Sequence, residues 1–425
     1  MEMELESDIQ KIEKIYVPSE LLDREENMVD CRPGGYHPVA LGDMLKSDRY
    51  KIFHKLGHDR FSTVWVAKDH QLERWVSIKI ITADKTSQSR ELQHHRALSK
   101  LSQGHLRSKH IVRLFDDFIL DGPNGRHQCL VYELLGPPVN WMLSSSPHEC
   151  HVAEERLDPE DILMISTHLL EALTFLQENG YTHGDISVNN IAYTSDLISV
   201  LSEKELLKVL GNPEADDMRR VDGEPLGEGI PHHFIRSTTW PGYPHDDDDA
   251  DDEFRLFDFG EAFTRDTIPE KLAGYVCLQS PEAMFTSNFD HRLDLWSVGL
   301  TICYLAVGSL PIHEWPMNAL INSSKEYYYG LPKEWQQRKE RLRRDAEEEY
   351  GRALRGGREP PGLELEVAFR KTVKEPELQV LLPIIKGLTK LTPSNRMSAG
   401  QALFLIGMPH EECYATDEGR DVKCY

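Results

Sequence analysis

The chain has 425 residues, 40% of them hydrophobic, which is enough for two domains or one large bilobal unit with a sizeable core and excludes a disordered tail. Lysine plus arginine total 48 against 71 aspartates and glutamates, and the formal charge of −23 argues against a general nucleic-acid binder and for cationic partners or for solubility alone. Seven scattered cysteines with no C-x-x-C pair suit a reducing compartment and supply neither a disulfide framework nor a zinc site. The opening MEMELESDIQ lacks the basic and apolar regions of a secretory leader. The longest apolar run, Val298 to Leu310, is interrupted by Thr301, Gly308 and Ser309 and falls short of the ~20 residues that span a bilayer, so it reads as a buried core helix. Cys424 stands one residue from the end, which is not a prenylation box. The expectation is a cytoplasmic or nuclear protein without a membrane partner.

In chain order, the first 30 residues are polar and are expected to form a loosely docked arm, part of a lead-in that runs to residue 49. From Tyr50 to about Leu135 the pattern is strand-like: YKIFHKL, STVWVAK and WVSIKII, then HIVRLFDDF and QCLVYELL. One helix interrupts them near Ser87 to Leu101, where Glu91, His94, Leu98 and Leu101 share a face. The first lobe, 50–135, is therefore mainly antiparallel sheet with one helix. After Gly136-Pro137-Pro138 the period becomes helical. Asp158-Pro159 is a start signal, and Ile162, Ile165, Leu169, Leu173 and Leu176 form an apolar stripe ending at Gly180. A second helix is expected from Arg292 to Val307, so the lobe over 136–408 is mainly helical and the fold class is α+β. Residues 195–253 hold a helical stretch, SEKELLKVLG, then Gly- and Pro-rich sequence and the run HDDDDADDE. Residues 338–358 are almost wholly charged, and 409–425 form a polar tail.

Spaced polar residues suited to phosphoryl transfer appear along this frame. Lys79 lies on the third strand in VSIK, where an ammonium reaches phosphates, and Glu91 on the following helix could pair with it. Asp185 in HGDISVNN has the place of a catalytic-loop base, and Asn190, five residues on, is placed to ligate magnesium. Asp258 in FDFG is a second hard oxygen ligand, and Ser280-Pro281-Glu282 closes the segment that it opens.

With KLGHDRFSTVW, LVYELLG, HGDISVNNI, RLFDFGEAF, LQSPEAMF, DLWSVG and SNRMSA, the chain resembles a eukaryotic protein kinase over about residues 50–408. The lead-in CRPGGYHPVALGD and the FSTVW ending resemble the serine/arginine-rich-protein kinases, in particular their divergent fungal relatives. The resemblance implies a bilobal protein kinase fold and use of ATP and Mg²⁺. It implies Asp185, Lys79 and Glu91 as catalytic residues, and Leu56, Gly57, Val64, Lys79, Glu133, Leu135, Asn190 and Asp258 around the nucleotide. Asn190 and Asp258 would hold the metal. Tyr132 is similar to the gatekeeper, Asp294 to the aspartate that ties the second-lobe helix to the catalytic loop, and Glu282 with Arg396 to a buried ion pair. The long stretch 195–253 is similar to the spacer insert of that family and is expected to emerge from the second lobe, mobile at its acidic end. The implied substrate is a basic arginine/serine-rich protein of the splicing-factor kind, phosphorylated on serine or threonine.

Two positions depart from the pattern. Ser187 stands where kinases acting on Ser or Thr carry a lysine. Asp59 stands at the second glycine position of the phosphate loop and Ser62 at the third, the latter as is usual in this subgroup. An aspartate within ~6 Å of a phosphate costs about 1 to 3 kcal/mol at an effective dielectric of ~20 to 40, or ~5- to 150-fold in affinity. The alternative reading is accordingly a pseudokinase scaffold. Gly184 precedes Asp185 where many regulated kinases have an arginine that receives a loop phosphate, so any activity is expected without loop phosphorylation.

Overall fold

The computed structural model describes residues 15–17, 25–102, 104–144, 157–194, 196–242, 253–270, 272, 279–286, 289–308, 335 and 365–407. Two compact units are present. The first comprises Met1–Lys100, Val112–Pro137 and Tyr193–Asp252, and the second Leu101–Ile111, Pro138–Ala192 and Glu253–Tyr425.

Period-2 alternation and β-branched residues make the first unit a six-stranded antiparallel sheet of β1 (Met44–Leu45), β2 (Tyr50–His58), β3 (Ser62–Asp69), β4 (Arg74–Ile81), β5 (Leu114–Gly122) and β6 (Gly125–Glu133), ordered β1-β2-β3-β4-β6-β5. Its core gathers Tyr50, Ile52, Trp65, Val76, Ile78 and Val131. The register sets Gly57 opposite Val64, Val64 opposite Lys79 and Lys79 opposite Leu130. Directly opposed residues of antiparallel strands share a face, so Val64 and Lys79 stand side by side.

Helix α1 covers Glu91–Leu101, four residues shorter at its start than the periodicity suggests, because Ala83–Thr86 forms a separate turn of helix. Glu91, His94 and Leu98 are buried as the shared face requires, whereas Leu101 is exposed.

The lead-in and the insert depart from expectation. Met28, Cys31 and Tyr36 of the lead-in pack with Met218 and Phe234 of the insert in one apolar cluster, with Tyr16, Leu226 and Ile230 against it. From Glu25 onward the lead-in is therefore docked rather than loose. The described insert holds the helix Glu203–Leu210, whose Ser202 and Glu205 form a capping box, and the strand pair Ala215–Asp217 with His233–Ile235. By packing it belongs to the sheet unit, not to the second lobe in which chain order placed it. The acidic run 246–253, apart from Glu253, and the segments 338–358 and 409–425 lie outside the described residues.

In the second unit α2 spans Pro159–Glu178, and Ile162, Ile165, Leu169, Leu173 and Leu176 are all buried. Asp158 stands at the N-cap without a capping hydrogen bond from its side chain. Helix α3, Arg292–Val307, is buried along both faces, as expected for a core helix. At Gly299 a Cβ would come 2.7 Å from Thr389 Cγ2, so a glycine lets the helix Leu381–Leu388 and its end approach closely. Among the described residues no helix is long and apolar enough to cross a membrane.

The ion pair between Glu282 and Arg396 is bidentate, with Nη1 to Oε1 at 2.5 Å and Nη2 to Oε2 at 2.6 Å, and both side chains are buried. The guanidinium also donates to the carbonyls of Arg292 at 2.7 Å and Lys390 at 2.9 Å, which stitches the end of the SPE segment to α3 and to the turn before the last helix. Every donor has an acceptor, so removing one partner strands a buried charge. Arg396→Met should lower the stability of the protein by about 3–5 kcal/mol in urea unfolding, and adding Glu282→Gln should recover part of that loss.

Candidate active site

In the sheet unit, Lys79 Nζ lies 3.0 Å from Glu91 Oε2 and 3.3 Å from Oε1. The sheet fixes the lysine at mid-strand and the first turn of α1 fixes the glutamate, where a carboxylate also meets the positive end of the helix dipole. The expected pair is thus formed. Tyr132 adds a bond that its gatekeeper resemblance does not include: its hydroxyl donates to Glu91 Oε1 at 2.8 Å, and its ring meets His95 edge-on.

The loop expected to cover phosphates links β2 to β3 through Asp59, Arg60 and Phe61. Asp59 Oδ1 accepts from Phe61 N at 2.5 Å and Oδ2 from Ser62 Oγ at 2.6 Å, while Asp59 N donates to Ser62 O at 2.9 Å. Both carboxylate oxygens are engaged in the turn itself, an Asx arrangement that glycine could not make. Leu56 and Val64 are half-buried on either side of Gly57. Gly57 does not adopt a left-handed backbone, and a Cβ there would meet nothing within 4 Å. At the end of β6, Glu133 N donates to Arg113 O at 3.1 Å and Glu133 O accepts from Ser77 Oγ at 3.0 Å. Leu135, half-buried, follows two residues later.

In the helical unit, the loop His183–Asn190 is organised around Asp294. The carboxylate is fully buried and accepts from His183 N at 2.7 Å and from Gly184 N at 3.0 Å. Burial pushes this carboxyl up to about 7, the nearby Asp185 charge adds to the rise, and the two amide donors oppose it. Gly184 has φ +84°, and a Cβ there would come 2.7 Å from Glu261 O. An arginine cannot take this position without moving the backbone, which is a steric reason for the glycine before Asp185.

His183, to which the motif assigns no role, is fully buried and fixes the loop from inside. Its Nδ1 accepts from Asp185 N at 3.3 Å, so its Nε2 carries the proton and donates to Phe257 O at 3.0 Å. Phe257 N in turn donates to Asn190 O at 2.9 Å, and Asn190 Nδ2 donates to Asp185 O at 2.8 Å and to Asp185 Oδ2 at 3.0 Å. The structure therefore brings Asp185, Asn190 and the residue preceding Asp258 into one bonded network. Asp258 itself sits in the left-handed region at φ 62°, with Oδ1 accepting from Gly260 N at 3.3 Å. Ser187 caps the 3₁₀ turn Val188–Asn190 by accepting from Asn189 N at 3.3 Å.

Asn190 commits its amide nitrogen to Asp185, which leaves the carbonyl oxygen as the atom that would ligate a metal. Together with Asp258 it offers the hard oxygen donors that Mg²⁺ takes. The donor set fits that ion. A different trio, Glu25, Glu26 and His58, places ligand atoms within 4.8 Å of one another, but Lys55 Nζ already bonds both glutamates there.

Residues 50–224 match the family model described as protein tyrosine and serine/threonine kinase. The chain is 37% identical over 177 residues to the protein kinase dsk1 of Schizosaccharomyces pombe, covering 40% of this chain and 31% of that protein. It is 33% identical over 174 residues to the serine/threonine-protein kinase SKY1 of Saccharomyces cerevisiae, covering 39% of this chain and 23% of that one. Identity to the serine/threonine-protein kinase SRPK of Physarum polycephalum is 28% over 328 residues, 68% of each chain. The chain thus spans about a third or less of the length of the first two relatives. Among solved structures, a crystal structure of the kinase domain of PF14_0431 matches 87% of this chain and 98% of its own with a TM-score of 0.56 at 18% identity, a likeness of fold.

The Asp294 carboxyl makes a pH prediction. Its native value of about 7 stands above the unfolded value, ~3.9, so the native state holds this proton more tightly. The contribution is fully present below about pH 4 and is lost as pH rises through 7. Asp294→Asn should abolish that component: the unfolding free energy of the parent minus that of the variant should fall between pH 4 and 7 and level off above.

Proposed function

We propose, from the protein kinase domain that this chain carries, that it transfers the γ-phosphate of ATP to serine or threonine in protein substrates. The observation that carries the reading is the network around Asp185, in which Asn190, His183 and Asp294 hold the loop in one shape. Lys79, braced by Glu91 and Tyr132, would hold the nucleotide's phosphates, with Leu56, Gly57 and Val64 covering it and Glu133 and Leu135 offering backbone groups to the base. Asp185 would orient the substrate hydroxyl and take its proton. Asn190 and Asp258 would hold Mg²⁺, which supplies charge neutralisation at the phosphates when bound. The protein's part is then positioning and fixed electrostatics.

The chain's excess of acidic residues and its resemblance to the serine/arginine-rich-protein kinases support a basic arginine/serine-rich substrate of the splicing-factor kind. A pseudokinase scaffold is the second reading, favoured by Ser187, which supplies no cation. The formed Lys79–Glu91 pair weighs against it.

With an arginine/serine-rich peptide and millimolar Mg·ATP, the protein should transfer phosphate, and Asp185→Asn should lower kcat by about 10²- to 10⁴-fold. Prior phosphatase treatment should leave the rate unchanged. No thermal stabilisation by Mg·ATP would favour the scaffold.

The Asp59 variants separate charge from turn geometry. Asp59→Asn keeps an acceptor for Phe61 N and should tighten Mg·ATP binding by ~5-fold, the low end of the bare-carboxylate cost. Asp59→Gly, which loses the turn as well, should tighten it less. Titration calorimetry on both variants checks the order.

A further inference from the structure

Lys55 has no exposed surface although it stands in a strand that begins by alternating inward and outward residues. Its ammonium donates to Glu25 Oε2 at 2.8 Å, to Glu26, and to the carbonyl of Ile235 at 3.2 Å. Its own carbonyl accepts from Thr238 N at 3.0 Å. Glu25 is held in turn by the insert, accepting from Ser237 N at 2.9 Å and Ser237 Oγ at 2.7 Å. Burial alone would push the Glu25 carboxyl up, yet Lys55 and Ser237 hold it below the usual carboxylate range.

We propose that Lys55 is a positioning residue: through it the lead-in (Glu25, Glu26) and the insert (Ile235, Ser237, Thr238) fix the register of β2 and thereby the phosphate loop.

The ladder between β2 and β3 slips between Ile52 and His54 and again between Lys55 and Gly57, so the loop end of β2 is the part whose pairing the sheet alone specifies least. A buried ammonium between two carboxylates contributes little net stability but specifies register, because a one-residue slip would take the charge out of its acceptors. A second tether acts past the bulge: Tyr36 of the lead-in donates its hydroxyl to Asp59 O at 2.7 Å. Asn124 ties these tethers together, donating to Tyr36 O and to Gly229 O of the insert, each at 2.7 Å. Gly57 through Asp59 thus lie between two anchors that both come from chain outside the strands. This inference rests on the kinase reading for its consequence, nucleotide affinity, but not for the tether itself.

The test uses the full chain with Lys55→Met and, as a milder variant, Tyr36→Phe. Amide hydrogen exchange over residues 57–63 should rise by about 10-fold or more in Lys55→Met, and less in Tyr36→Phe, with α2 and α3 still protected. In the same samples the KM for ATP should rise about 5- to 20-fold with kcat within about 2-fold. Unchanged loop exchange in a folded Lys55→Met protein overturns the proposal whatever the activity. If Lys55→Met fails to fold, Glu25→Gln and Tyr36→Phe replace it: faster loop exchange in both supports the tether, and unchanged exchange in both overturns it. A parent protein that neither binds nor turns over Mg·ATP refutes the kinase reading and leaves loop exchange to decide the tether.

Discussion

The buried carboxylate of Asp294 is the constraint from which the helical unit's chemistry follows. Two backbone N–H groups, those of His183 and Gly184, point at one carboxyl group, and a loop held that way has little conformational choice left. Gly184 must then be left-handed, its Cβ position is taken by the Glu261 carbonyl, and the residue can carry no side chain. The absence of an arginine before Asp185 is therefore a consequence of local packing as well as a statement about regulation. Once Gly184 is set, Asp185 N meets His183 Nδ1, the imidazole proton goes to Phe257 O, and Asn190 closes the ring onto Asp185. Each bond selects the tautomer or rotamer that the next one needs, which is how polar networks rigidify a site.

The sheet unit reaches a similar end by ion pairing. Lys79 and Glu91 meet because strand register and a helix start place them so, and the Tyr132 hydroxyl gives the glutamate a second donor. The pair is formed in this structure within one unit, by strand register, helix start and the Tyr132 hydroxyl together.

The strands, α2, α3 and the polar constellation were legible in the sequence because each rests on a local signal: period-2 alternation, a Pro at the first helical position, or polar residues at fixed spacing. What was not legible depends on long-range partners. Lys55 lies in YKIFHKL, where alternation from Tyr50 sends it outward; the slip of the ladder between Ile52 and His54 turns it inward, and its partners are about 30 and 180 residues away. The insert's helix was visible as SEKELLKVLG, but its allegiance was not, since the apolar residues that decide it, Met218 and Phe234, stand in sequence without periodicity and pair with Met28, Cys31 and Tyr36. His183 escaped notice because a histidine beside a motif carries no pattern of its own.

Asp59 and Ser187, read from sequence as lost parts, have structural roles in the folded chain. A glycine serves a phosphate loop by permitting a tight turn. Asp59 instead builds the turn, with one oxygen on Phe61 N and the other on Ser62 Oγ, so the charge that repels a phosphate is partly met by the dipoles it organises. The cost of about 1 to 3 kcal/mol for a bare carboxylate is thereby an upper bound. Ser187, buried, caps the turn that carries Asn190 and so fixes the place of that side chain where a lysine would have supplied a charge. Both substitutions favour geometry over charge. In a reaction whose catalysis is mainly positioning, that exchange weakens the inference from missing residues to missing activity.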